Sequence, residues 1–188
     1  MSAIPYALSV HHFINSVGAD AGFAAIVGLA LGGRVRRIAE ARFRSVGLLL
    51  AGAGCEFAGS HLGAGWFGGV LLIAGYGLLV GFAVRNAALT GMVLVAVGLA
   101  ANLTVIALDG GMPVRGVAPG ASYGARHHGE RPGDHLTGLA DVIRVSPLGE
   151  TVSAGDIVLS LGVATVVVRL MRPARRRPRR PLDLPLVR

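Results

Sequence analysis

Five apolar blocks, each close to the length of a bilayer crossing, constrain this chain more than any other feature. A spanning helix needs about 20 mostly apolar residues. Such runs cover residues 12–33, 45–62, 65–84, 87–108 and 153–171. Of the 188 residues, 53% are hydrophobic and 15% charged, against about 25% charged in soluble domains. The blocks predict an all-α fold: a polytopic helical membrane protein with five transmembrane helices. It would form one domain, residues 1–171, with an Arg- and Pro-rich tail at 172–188. Asn15 and Asp20 interrupt the first block, and no basic region precedes it as in a cleavable secretory signal. A single cysteine, Cys55, excludes an internal disulfide.

Charge sets the expected orientation. All 18 basic residues are Arg, and basic residues collect on the cytoplasmic side of short loops. Arg34, Arg36, Arg37, Arg42 and Arg44 precede the second block, Arg85 lies between the third and fourth, and most of the others are in the tail. With five spans all three regions share one face. The remaining loop, 109–152, is nearly neutral and falls opposite. The topology read from this is N-terminus out and C-terminus in, with one long extracytoplasmic loop.

The stretch VIALDGGMPVRG ends the fourth block abruptly. Gly110 and Gly111 can take the left-handed conformation that closes a helix, and Pro113 cannot continue one. Asp109 then lies at the water boundary, where its carboxylate would stay solvated.

The segments GGRVRRIAEARFRSVGLLL, RNAALTGMVLVAVGLAANLTVIALDGGMPV and LADVIRVSPLGETVSAGDIVLSLG resemble DUF5317, a family of small bacterial membrane proteins. The resemblance runs from about Gly32 to Met171 and is most specific at the turn Gly110, Gly111, Met112, Pro113. This chain has Asp109 where the family pattern suggests Asn. The resemblance implies a multi-pass protein of the bacterial cytoplasmic membrane and carries no activity.

Ionisable residues inside spans are costly and are candidate functional groups. At about 1.5 Å of rise per residue, Asp20, Glu56, Asn102 and Asp156 lie about 18–24 Å from the nearest cytoplasmic anchor. His61 lies about one turn further out. Two readings are open. In one, the five converge on a single outward-facing polar site for a cation, a proton or a lipid head group. In the other, each serves locally: Asp156 in a capping box with Ser153, Asn102 in a hydrogen bond between helices, and Asp20 at the interface. Glu56 has no such local role.

In the loop RHHGERPGDH, His127, His128 and His135 are weak metal candidates, because their spacing matches no metal signature and Gly and Pro suggest a flexible, solvated segment. Arg175, Arg176, Arg177, Arg179 and Arg180 suit anionic lipid head groups at a membrane surface. Nucleic acid is not expected, because no aromatic residues interleave them. Glycines four apart, at 18/22, 28/32, 59/63, 65/69 and 77/81, suggest close helix packing, and Trp66 suggests an outer interface anchor.

No nucleophile motif, phosphate loop or dinucleotide fingerprint occurs, so neither a cofactor nor an enzyme activity is expected. The reading is a non-enzymatic accessory or assembly component of a membrane or envelope complex, with other membrane proteins as candidate partners. The alternatives are a small transporter or ion- and proton-handling protein using the outer acidic cluster, and a membrane-embedded enzyme acting on lipid.

Overall fold

Apolar helices of bilayer length need their polar backbone satisfied internally, and pairs of them need a seam that lets their backbones meet. A computed structural model of the chain describes residues 25–30, 32–61, 65–116, 122–123, 126–145 and 150–172. Its helices are α1 (residues 25–30), α2 (Arg36–Ala39), α3 (Val46–His61), α4 (Trp66–Arg85), α5 (Met92–Asp109) and α6 (Ala154–Met171). Among the described residues, three helices, α4, α5 and α6, are long and apolar enough to cross a membrane. The block at 45–62 yields the 16-residue α3, about 24 Å long. Of the block at 12–33 only residues 25–30 are helical and described, and Gly32, with φ +77°, turns the chain out of α1.

The fourth block starts later than the sequence suggests, at Met92 rather than Ala87, because Asn86 is used as a tie. Its Oδ1 accepts from the Arg44 backbone N–H at 2.7 Å, and its Nδ2 donates to the Arg44 and Phe82 carbonyls at 2.9 and 2.8 Å. One amide thus fastens the entry of α3 to the exit of α4. Gly91, in the left-handed conformation, then opens α5.

The helices form two hairpins, α3 with α4 and α5 with α6, joined through α4 and α5. Both seams rest on glycines seven apart. Gly52 faces the Gly75 backbone and Gly59 faces that of Gly68; Gly91 faces Gly162 and Gly98 faces Gly155, with an added Cβ only 2.6–3.0 Å from the opposing carbonyl oxygens. Among the described residues, most glycines of the expected four-residue pairs do not serve this purpose. Gly32, Gly65, Gly69 and Gly77 have nothing within 4 Å, while Gly59 packs against Gly68 and Leu72 of α4 and Gly28 against Met171. Leu72, Tyr76, Leu79 and Phe82 of α4 and Val95, Leu99, Val105 and Ile106 of α5 fill one core. Trp66 is 82% exposed at the end of α4, against the edge of Phe67.

α5 ends as expected, with Gly110 left-handed at φ +70°. Beyond it the described residues of the loop fold into a cap rather than an unstructured segment. Met112–Val114 (β1) pairs in parallel with His127–Gly129 (β3), which pairs antiparallel with Ser122–Tyr123 (β2). Ile143–Val145 (β4) and Glu150–Val152 (β5) form a second ladder leading into α6. Met112 is part of the core, and a bridge from Val114 to Asp141 closes the cap back on β1. Backbone polar groups beside a buried helix end need partners, and the short ladders supply them. The chain is therefore mostly helical, with a small β-structured cap at one end of the bundle and Arg44 and Arg85 at the other.

Candidate functional site

Glu56 lies on the α3 seam between Gly52 and Gly59, where the glycines bring its backbone against Gly75 and leave the residue 6% exposed. A carboxylate there needs a partner. The partner is Arg126 of the cap, 70 residues away in sequence, whose Nη1 meets Glu56 Oε1 at 2.5 Å. Its Nη2 donates to the hydroxyl of fully buried Tyr76 at 3.0 Å. The Arg126 carbonyl accepts from the Met112 N–H at 2.6 Å, so the residue that reaches into the bundle is held where β1 and β3 meet. Burial opposes the charge on the guanidinium, but Tyr76, Glu56, Asp156 and Asp141 outweigh it and raise its pKa, so it stays protonated.

A second group sits at the start of α6. Ser153 and Asp156 form the expected capping box. Asn102 of α5 joins it: Nδ2 donates to Asp156 Oδ1 at 2.7 Å, and Oδ1 accepts from Ser153 Oγ at 3.1 Å. A Cβ on Gly155 would collide with the Asn102 amide, which is the physical reason for the Gly-Asp pair that opens this helix. Replacing Asn102 with Leu leaves the buried Ser153 hydroxyl without an acceptor for its proton and Asp156 Oδ1 without its donor. The expected loss of stability is about 1–3 kcal/mol, read as a lowered unfolding midpoint in detergent, and a midpoint equal to wild type would refute the role.

The cap histidines do not gather. His127 Nε2 lies 3.3 Å from Asp141, His128 Nε2 3.1 Å from Asp134, and His135 Nδ1 3.1 Å from Asp109. Among the described residues no group of three or more His, Cys, Asp or Glu is arranged to hold a metal. The Asp109 carboxylate is not solvated as the sequence suggested: its side chain is 1% exposed, and Oδ1 also accepts from the His135 N–H at 2.8 Å. The His135 segment of the cap covers it.

Asp134 gives a pH dependence with a defined sign. Burial would raise its pKa, but the Arg131 N–H and His128 outweigh burial and hold it below the usual carboxylate value. Its contribution to stability is therefore fully present above the unfolded pKa and is lost as pH falls through the lower folded value. Protection against hydrogen exchange across residues 127–141, corrected for the intrinsic rate, should fall below about pH 4, and more steeply in wild type than in Asp134→Asn.

Residues 42–168 match the model of a family of unknown function (DUF5317). The chain belongs to this family. No curated protein and no solved structure matches it. The DUF5317 match spans α3 to α6 and the cap, so it includes every residue of the polar cluster. Of the residues expected to converge, the structure joins Asn102 to Asp156 and places Glu56 with Arg126 and Tyr76. His61 is separate: its ring is exposed, bonds the Phe57 carbonyl at 2.8 Å and stacks on Phe57. Asp20 and the tail residues Arg175, Arg176, Arg177, Arg179 and Arg180 lie outside the described residues.

Arg126 was the residue missed from the sequence. A signal for it existed: a buried carboxylate at the cap end demands a cation, and the loop 109–152 carries four arginines in its sequence.

Proposed function

We infer that the chain is an integral protein of the bacterial cytoplasmic membrane that works as a non-enzymatic accessory or assembly component, offering its cap to a partner. The reading includes five spans with the N-terminus out, so that the cap faces outward. Of the arginines supporting that orientation, Arg34, Arg44 and Arg85 lie among the described residues at the end opposite the cap.

One observation carries the role. The ionisable groups buried at the cap end are used to hold cap and helices together: Arg126 clasps Glu56, His135 clasps Asp109, and Asn102 and Ser153 engage Asp156. What this leaves for recognition is the outer surface of the cap. Purification from native membranes in mild detergent, with mass spectrometry of co-purifying proteins, tests the reading. A stoichiometric membrane or envelope protein, lost when exposed cap residues are substituted, is the expected result. A protein that purifies alone from crosslinked and uncrosslinked membranes would sink it.

A second reading, ion or proton handling, draws on the charges around Arg126. Three carboxylates, Glu56, Asp141 and Asp156, act on one guanidinium. Under that reading Glu56→Gln abolishes a proton- or cation-dependent flux in proteoliposomes. Under the accessory reading Glu56→Gln leaves partner retention intact.

A further inference from the structure

The arginine end of the bundle holds a cleft that the polar cluster does not involve. It has a volume of about 430 Å³ and is lined by Arg34, Arg36, Arg37 and Glu40. We propose that this cleft binds the phosphate of an anionic membrane lipid, held between the guanidinium forks of Arg34 and Arg37. The proposal is independent of the cap's role and requires only that the chain lie in a membrane.

The cleft is built rather than incidental. The Gly33 N–H bonds the Gly28 carbonyl at 2.8 Å and the Arg34 N–H bonds the Met171 carbonyl at 3.0 Å. A Cβ on Gly33 would stand 2.6 Å from the Gly28 carbonyl oxygen and 2.8 Å from Met171 Cβ, so the α1–α2 corner fits against the last turn of α6 only with glycine there. The corner is thus tied to the bundle, which sets the backbone from which Arg34 and Arg37 project.

Their charges are not equally occupied. Arg36 lies 3.2 Å from Glu40, one turn on. Among the described residues Arg34 and Arg37 have no side-chain ion pair or hydrogen bond. Three guanidinium groups against one carboxylate leave a net charge of +2 in the cleft. Guanidinium forks match phosphate oxygens two at a time, which a point charge cannot do.

The surroundings favour a lipid over a free phosphate. Ile26, Leu29 and Val35 are exposed apolar side chains flanking the arginines along the chain. Arg169 and Arg172 bracket Met171, to which the corner is tied. Apolar residues beside unpaired arginines at a helix end suit a ligand with an anionic head and a hydrocarbon body.

The test uses the full chain in detergent, titrated with phosphatidylglycerol, with phosphatidylcholine and with inorganic phosphate, and read by native mass spectrometry. One phosphatidylglycerol should be retained in preference to phosphatidylcholine. Its affinity should fall about thirtyfold in Arg34→Gln/Arg37→Gln. It should persist in Arg175→Gln/Arg176→Gln/Arg177→Gln, which separates the cleft from the tail. Arg34→Lys/Arg37→Lys keeps the charge and loses the forks, and an intermediate affinity supports the geometry even if the Gln variant fails to fold. Equal retention of phosphatidylcholine, or wild-type affinity in both Arg34/Arg37 variants, overturns the proposal. Inorganic phosphate binding as tightly as phosphatidylglycerol, with the same dependence on Arg34 and Arg37, overturns the lipid as the source of the phosphate.

Discussion

Replacing Arg126 with Ala destabilises the protein by about 3–5 kcal/mol, one of the two largest effects expected of a single substitution. The reason is asymmetry. The pair is nearly enclosed, with side-chain exposures of 11% for Arg126 and 7% for Glu56. Removing the guanidinium leaves a carboxylate in a low-dielectric seam and takes a hydrogen bond from the Tyr76 hydroxyl. Glu56→Gln should cost less, because the amide oxygen still accepts from Arg126 and the guanidinium retains Tyr76 and the field of Asp141 and Asp156. The double variant Glu56→Gln/Arg126→Gln should cost less than the sum of the single changes, because no unpaired charge remains. Thermal unfolding of the full chain in detergent measures all three. Limited proteolysis of the cap should report the same order, since Arg126 joins cap to bundle. If Arg126→Ala unfolds within about 1 kcal/mol of wild type, the ion pair does not hold the cap.

Much of the fold was legible because it obeys local rules. Three of the apolar blocks become bilayer-length helices within a few residues of their expected bounds. The stop at Asp109 with a left-handed Gly110 is dictated by the glycines alone. The capping box is equally local, its two residues being three apart.

The illegible parts depend on contacts between distant residues. Nothing near Glu56 in the sequence points to Arg126. That pairing exists because β1 and β3 set the start of β3 over the α3–α4 seam. The cap was equally opaque. Its strands are two or three residues long, and such strands are made by their partners rather than by propensity. Asn86 looked like part of a short connection, yet its amide binds a residue 42 positions earlier. The glycine pattern was visible but read at the wrong period. Spacing of four is common in a chain with 29 glycines, whereas the seams use pairs seven apart.

That period yields the other large effect. Gly98→Leu should separate α5 from α6, while Gly77→Leu should be close to neutral. A Cβ at 98 would lie 2.6 Å from both the Gly155 carbonyl oxygen and the Leu159 nitrogen, and 2.9 Å from the Leu159 Cα. These are backbone atoms of a helix and cannot give way as a flexible side chain would. Even Gly98→Ala should cost about 1–3 kcal/mol by overpacking, and Leu more. Gly77 has nothing within 4 Å, so Gly77→Ala should be neutral or stabilising by up to about 1 kcal/mol through the reduced freedom of the unfolded chain. The consequence at 98 should reach the polar cluster, because Asn102 stands one turn further along α5 and meets Asp156 only while the seam is closed. Gly98→Ala and Asn102→Leu should therefore be less than additive. Unfolding midpoints of the two single variants and the double variant decide the matter. Equal tolerance of alanine at 98 and 77 would mean that the α5–α6 seam does not depend on glycine, whereas a loss at 98 alone that overlaps with the Asn102 loss would identify the seam as the element that keeps the polar cluster assembled.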